Sequence, residues 1–428
     1  MVAGAALAAG ACGAGGQVPK RSALADVFGL PPSTGFPLGV SCGDVDVSSA
    51  RMVTRYSGAR ALELRVVDTQ SGGALAVSAP ATNAPMVSVD IHGLAPGRQY
   101  VYAFVELDDT GAALSTSTLG TFRSPPAVDD RQPLVITASA CSQKRYGFET
   151  LARAAEIDSD VHLLLGDTSY NDGARTLEEF RTEWLETLSR QQYVALRASC
   201  SVIATWDDHE VMNNWDKATV PADVVAAAQQ AFLEHVPARR PTTEKFQLWR
   251  SVRWGGTAEL FLLDLYTDQS HDEGRFISDE QMDWLINGVK ESSAAFKILV
   301  TSLPLSHMSL PFEVYRRSRW DAFPRQRRQL LRALDGVPGL FAVSGDVHMP
   351  VLGRVEHSGD GSKIHEVIVG PAAHTVNPLW PTMRGPQFLW SGGFGNIAVM
   401  ELDPQSMQVT VNYVDEVGDS RVTLSFKA

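Results

Sequence analysis

Cysteine is scarce in this chain. Four occur in 428 residues, at positions 12, 42, 141 and 200, with no CxxC spacing, too few to act as a disulfide scaffold at this length. Positive charge is also short, since 37 Lys and Arg face 49 Asp and Glu for a net charge of −12. That deficit excludes a protein that binds nucleic acid by neutralising many phosphates. Any anionic substrate must then be held by a local cation, a side chain or a metal. The missing Pro/Ser/Gln-rich tracts exclude a mostly disordered chain, and the composition suits neither a collagen-like fibre nor a coiled coil. What is present, 44% hydrophobic and 20% charged residues, is an ordinary globular composition, long enough for two or three domains of about 150 residues.

From Met1 to Gly16 the chain is almost wholly Ala and Gly, too short and too weakly apolar to cross about 30 Å of hydrocarbon. Leu7-Ala8-Ala9-Gly10-Ala11-Cys12 looks like the tail of a bacterial lipoprotein signal, in which small residues precede a cysteine that is lipidated, although the charged n-region is missing. Residues 1–35 are therefore read as leader and linker, with a candidate lipid anchor at Cys12 and export to the periplasm, the cell surface or the medium. The rival reading is a flexible Ala/Gly leader with no address.

Residues 36–124 carry short alternating segments, such as Ala61-Leu62-Glu63-Leu64-Arg65-Val66-Val67, separated by turn signals such as Gly72-Gly73 and Ala95-Pro96-Gly97. That pattern predicts a small β-sandwich. Beyond the stiff Ser124-Pro125-Pro126 linker, apolar runs ending in polar residues alternate with amphipathic segments, the α/β signature, over residues 125–428. Strands are expected at 134–138, 161–165, 202–205, 260–263, 298–301, 341–343 and 367–369, with three more at 397–402, 409–414 and 422–426. Leu177, Phe180, Trp184, Leu185 and Leu188 share one helical face, and Ser278-Asp279-Glu280-Gln281 reads as a capping box opening a second helix.

Four strand ends bear acids, amides, a thiol or an imidazole: Cys141; Gly166-Asp167-Thr168-Ser169-Tyr170; Trp206-Asp207-Asp208-His209-Glu210-Val211-Met212-Asn213-Asn214; and Gly345-Asp346-Val347-His348. In an open α/β sheet ligands bind at the carboxyl ends of strands, so these clusters are expected to meet in one crevice. If Cys141, Asp167, Tyr170, Asp208 and Asp346 all ionise there, each close pair costs about 4 kcal/mol even at an effective dielectric of about 20. Several cationic charges are needed. The soft and phenolic donors Cys141, Tyr170 and His348 suggest iron, with zinc second. Asp208, Asn213 and Asp346 suit a harder ion such as Ca²⁺, Mg²⁺ or Mn²⁺, and Asp167 could bridge. Two or more metals a few ångströms apart polarise phosphoryl groups, so phosphoester hydrolysis is the expected chemistry.

These clusters, with Trp206-Asp207-Asp208-His209-Glu210-Val211 followed by Asn213-Asn214, resemble the PhoD-type alkaline phosphatases of the calcineurin-like metallophosphoesterase superfamily. The likeness extends to Gly39-Val40-Ser41-Cys42-Gly43-Asp44, Gln281-Met282-Asp283-Trp284-Leu285 and Arg319-Trp320-Asp321-Ala322-Phe323-Pro324, in the family's order. It implies a two-sheet α/β sandwich with a small N-terminal all-β, fibronectin-III-like domain. It also implies a ferric ion held by Cys141, Asp167, Tyr170 and His348, and calcium sharing Asp167 and using Asp208, Asn213 and Asp346. His209 would stabilise the transition state or protonate the leaving oxygen, with a metal-bound hydroxide as nucleophile and small phosphomonoesters or phosphodiesters as substrates. The split of duty between Asp208 and Asn213 stays open, because the DDHExxNN run aligns with the superfamily's Asn-His pair in more than one way.

Departures point to rival readings. Tyr266 stands where the family's strand continues Asp-x-Arg, and Thr301-Ser302-Leu303-Pro304 occupies the place of an isolated histidine. These motivate a catalytically weak metal- and phosphate-binding surface protein as the alternative. A phospholipase D-like diesterase is the second alternative. Cys42 and Cys200 are read as core, and Asp207 as a supporting or capping group rather than a ligand. His307, His357, His365 and His374 are read as core or surface histidines, with His374 the one whose loop could border the crevice. Arg316, Arg317 and Arg319 read as a solvated face before a cationic rim.

Overall fold

The computed structural model describes residues 27–79, 85–239, 246–308 and 319–428. Cys12, Arg316 and Arg317 lie outside the described residues. Two large sheets pack face to face. The first runs, edge to edge, Ser420–Lys427, Gln408–Val414, Ile397–Asp403, Leu134–Ser142, Val161–Leu165, Ser201–Thr205, Val40–Gly43, Ser49–Arg55 and Met86–His92, and Pro371–Ala373 pairs with Leu134–Ser142 off that path. The second runs Arg250–Trp254, Ala258–Leu262, Phe296–Val300, Leu340–Ser344, His365–Ile368, Val351–Arg354 and Phe388–Ser391. Three neighbouring strands of the first sheet, from Leu134, Val161 and Ser201, are parallel, as are the four of the second from Ala258 to Ile368. Their carboxyl ends therefore share one rim of the sandwich.

The strands form where the apolar runs lie. The expected strand at 161–165 is Val161–Leu165, and the other expected strands are found within a few residues of their expected ends. Leu163, Ile203 and Met400 of one sheet meet Leu260, Ile298 and Phe341 of the other in a dry layer, and burying such side chains stabilises by about 1.5–3 kcal/mol each. Helices cover the outer faces. Thr176 opens Leu177–Leu188 with a full capping box through Glu179, and Phe180, Trp184 and Leu188 turn inward. The expected box at Ser278 is only half made. Ser278 accepts the Gln281 N–H, but the Gln281 amide clasps the backbone of Asp264, accepting from its N–H and donating to its C=O, both at 2.9 Å. A buried glutamine that satisfies two interior backbone groups leaves nothing for the cap.

The N-terminal strands Val40–Gly43, Ser49–Arg55 and Met86–His92 face a five-stranded sheet that includes Leu62–Asp68 and Gln99–Leu107, enclosing Val40, Met52 and Ile91 with Leu64, Tyr102 and Phe104. One half of this sandwich is continuous with the first large sheet, because Val40–Gly43 pairs in parallel with Ser201–Thr205. Buried Arg197 fastens the joint by donating to the carbonyls of Leu38 and His235, and Arg250 holds Asp44 through paired bonds at 2.9 Å. Cys42 and Cys200 are buried here, as expected of core residues. Among the described residues no helix is long and apolar enough to cross a membrane.

Cross-sheet ties set the spacing beneath the shared rim. Thr205 Oγ1 donates to Leu263 C=O at 2.7 Å and Trp206 Nε1 to Asp264 Oδ1 at 2.8 Å. At Gly345 the second sheet comes so close to the first that a Cβ would sit 2.5 Å from Ala140 Cβ. Gly345→Ala is expected to cost about 1–3 kcal/mol by overpacking. Thermal unfolding checks this, and a variant that melts with the parent would show that the two sheets are free to separate at this point.

Candidate metal centre

Backbone geometry marks the site before any side chain is considered. Seven non-glycine residues among those described have positive φ, and four of them are Cys141 (54°), Asp167 (54°), Asp346 (63°) and His348 (57°). This conformation is sparsely populated by residues with a Cβ, costs of order 1–3 kcal/mol each and persists where the surroundings over-determine it. Each of the four lies at or just beyond the carboxyl end of a central strand, where the abrupt turn swings its side chain over the rim. Gly166, at φ +102°, lets the turn after Val161–Leu165 pass so close to the next that a Cβ would meet Asp207 Cβ at 2.5 Å.

The turns bring the expected residues together. Donor atoms of Cys141, Asp167 and His348 lie within 4.8 Å of one another, as do those of Asp167, Asp208 and His209, so Asp167 is common to two groups that could hold a metal. Tyr170 Oη donates to Asp167 Oδ2 at 3.1 Å. Asp346 accepts from Arg319 Nη2 at 3.0 Å. Asp167, Tyr170, Asp208, His209, Asn213, Asp346 and His348 line one crevice of about 460 Å³. His348 donates Nδ1–H to the Thr375 carbonyl at 2.9 Å, which leaves the Nε2 lone pair for a ligand. His307 lies apart, paired with Asp321.

The electrostatics are those of a site built for cations. Burial, reinforced by Asp208, Glu210 and Asp346 and opposed by His209, pushes Asp167 well above the usual carboxylate range. Burial and the Asp167 charge raise the Tyr170 phenol, and burial with Asp167, Asp346 and Asp207 raises the Cys141 thiol. Protons stand in for metal here, and a bound cation reverses each of these directions. The donor set fits: thiol, phenol and imidazole on one side of Asp167 suit a softer or strongly acidic ion, and carboxylate and amide on the other suit a harder one.

Two supporting groups escaped the sequence reading. Asp172 accepts from His209 Nδ1 at 2.6 Å and from the Asn213 backbone N–H at 2.7 Å. Burial opposes charge on His209, but Asp167, the bond to Asp172 and Asp208 outweigh it and raise the imidazole to about 10. Glu210, fully buried, accepts backbone N–H groups from Asp167, Thr168 and Asp207 at 3.1, 2.6 and 2.9 Å, tying two ligand turns together. Asp207 is likewise committed, accepting from Ser302 Oγ at 2.8 Å. Tyr266 is buried, with its hydroxyl unpartnered among the described residues, and its phenol is raised by burial and then by Asp207, Asp208 and Asp346.

Comparison with known proteins agrees with this architecture. The PhoD-like phosphatase family model matches residues 135–379. Alkaline phosphatase D of Bacillus subtilis (strain 168) is 27% identical over 314 residues, 61% of this chain and 53% of that protein, so the match spans about half the relative's length. The solved structure of PhoD superposes with a TM-score of 0.82 at 20% identity, covering 92% of this chain and 91% of that one. A purple acid phosphatase from yellow lupin (Lupinus luteus) seeds gives 0.69 at 12% identity, covering 91% and 73%; at these identities the two structures speak to fold. With more than half its length matched to the family model, from the first central strand through the last ligand turn, the chain belongs to the PhoD-like phosphatase family.

Proposed function

We propose that the chain is a metal-dependent phosphoester hydrolase, acting on small phosphomonoesters, phosphodiesters or both. One observation carries this reading: Asp167 is common to two groups of possible ligands, one with Cys141 and His348 and one with Asp208 and His209, each within 4.8 Å, and Asn213 and Asp346 line the same crevice. In this reading Cys141, Asp167, Tyr170 and His348 would hold a ferric ion, and Asp208, Asn213 and Asp346, together with Asp167, would hold calcium. When bound, such cations polarise a phosphoryl group and acidify water.

The chain's own residues do the rest. Asp172 fixes His209 by its Nδ1, so that the imidazole keeps one orientation in the crevice. His209 then supplies a proton or a hydrogen bond where the leaving oxygen gathers charge. Arg319, through Asp346, brings a cation to the same wall.

Three measurements bear on this. With iron and calcium, the protein is expected to hydrolyse p-nitrophenyl phosphate or bis-p-nitrophenyl phosphate at alkaline pH. Asp167→Asn should lower kcat/KM by at least about a hundredfold, the scale of losing one preorganised electrostatic partner. Equal rates for the two proteins would leave only a metal- and phosphate-binding role, and preference for phosphatidylcholine over both esters would make it a lipid-headgroup diesterase. An iron–phenolate pair absorbs visible light, so the iron-loaded protein should be coloured and Tyr170→Phe should lose that band. A colourless, iron-free, active enzyme refutes the Tyr170 assignment.

The third concerns pH. Burial raises Asp167, Asp207 and Asp208 above their usual values and Glu210 to about 7, while His209 is raised to about 10. Each holds its proton more tightly folded than unfolded. Their stabilisation is therefore present below the unfolded values, about 4 for carboxylates and about 6.5 for histidine, and is lost as pH rises through the raised ones. Buried histidines held neutral, such as His162 and His235, oppose this loss below about pH 6.5. In chelator the melting temperature should therefore fall between about pH 7 and about pH 10 as Glu210 and then His209 lose protons, and saturating metal should flatten that fall as cations replace protons. A flat or rising profile in chelator contradicts the assignment.

A further inference from the structure

A third imidazole stands in the crevice outside the proposed ligand set. His374 follows the strand Pro371–Ala373 and lines the crevice wall. Its ring lies 4.3 Å from that of His348, 5.5 Å from and stacked on Tyr170, and 5.0 Å from Tyr146. Thr375 controls both histidines through its own backbone. Its C=O accepts Nδ1–H of His348 at 2.9 Å, whereas its N–H donates to Nδ1 of His374 at 2.8 Å.

A backbone N–H can only donate, so Nδ1 of His374 is an acceptor and the proton of the neutral ring sits on Nε2. The two neighbours are thereby set to opposite tautomers. His348 presents a lone pair at Nε2, as a ligand must, and His374 presents an N–H, which cannot coordinate a metal but can bond an oxyanion. No described residue accepts from His374 Nε2, and aromatic rings wall it on the sides. A donor held in that state lines the same crevice as Tyr170, His348 and Asp167.

We propose that His374 is a substrate-contacting residue whose Nε2–H donates a hydrogen bond to a non-bridging oxygen of the bound phosphoryl group. The role rests on the phosphoester reading for its substrate, but it concerns oxyanion binding and transfers no proton. The donor is neutral, so it adds geometric preference without adding charge to a crevice already served by Arg319 and His209.

The test uses the metal-loaded full chain with inorganic phosphate as probe, measured by calorimetry alongside ester hydrolysis. His374→Phe keeps the ring stack and removes the donor, and is expected to weaken phosphate binding about ten- to a hundredfold, the worth of a hydrogen bond to a charged group. Metal content and the visible band should stay at parental level. His374→Asn, which restores an N–H donor, should recover part of the affinity and shows the effect independently of how well the Phe variant folds. Parental phosphate affinity in both variants overturns the proposal, and so does loss of metal or of the visible band, which would make His374 a ligand. Phosphate binding that depends on His374 in a protein without turnover would leave this inference standing while the hydrolase reading falls.

Discussion

The rest of the structure depends on one electrostatic constraint: several groups that can become anions are held together, out of water, around a single carboxylate. Asp167 shares donor distance with Cys141 and His348 on one side and Asp208 on the other, and accepts the Tyr170 hydroxyl. Without cations the only ways to relieve such crowding are to hold protons or to move apart. The fold blocks movement, because each donor is the end of a strand anchored in the dry layer between two sheets, and the raised titrations of Asp167, Tyr170 and Cys141 are the mark of proton retention. A chain that pins acids this tightly is more stable with cations than without them.

The pinning itself costs conformational energy, and the local structure shows where it is offset. Left-handed backbone at Cys141, Asp167, Asp346 and His348 is unfavourable for residues with side chains. It is held in part by bonds made between turns. Cys141 N–H reaches the Gly166 carbonyl, Ser142 N–H the Asp167 carbonyl, and Asn377 N–H the His348 carbonyl. Glu210 gathers three more N–H groups from two turns. These contacts fasten the Cys141, Asp167 and Asp208 turns to one another, and tie the His348 turn to the segment at Asn377.

This division explains what could be read from the sequence. Each central strand is an apolar run with a polar break after it, so the ends carrying Cys141, Asp167, Asp208, Asp346 and His348 were legible as a set, and their residue types announced a cationic partner. Glu210 and Asp172 were not, because their work is done on backbone groups and on another residue's Nδ1. In sequence Glu210 is one more acid after Asp207 and Asp208, and Asp172 is a turn acid before Gly173. His374 was visible only as a loop histidine, since its tautomer is fixed by the peptide bond after it. Gln281 misled for the converse reason. The capping signature was genuine in spacing, but a fold that brings Asp264's backbone beside it has a stronger use for the amide. The N-terminal strands alternated as a separate sandwich would, and nothing local announced that Cys42 and Gly43 would pair across to Ser201 and Val202.

Two further residues beside these acids act on the same constraint. Ser302 gives its hydroxyl to Asp207, and Tyr266 leaves a buried phenol, unpartnered among the described residues, whose proton burial and then Asp207, Asp208 and Asp346 help to hold. An arginine there would bring a permanent charge to this side of the cluster, and a histidine would bring a nitrogen donor for metal. Neither Ser302 nor Tyr266 brings such a group, and among the described residues Arg319 bonds Asp346 while the His209 imidazole bonds Asp172. The electrostatic demand on this side therefore falls more heavily on bound cations, while the nitrogen donors available to hold them are fewer. Carboxylate and amide oxygens are the donors this side of the crevice offers, and positive charge from outside the chain is what those oxygens lack.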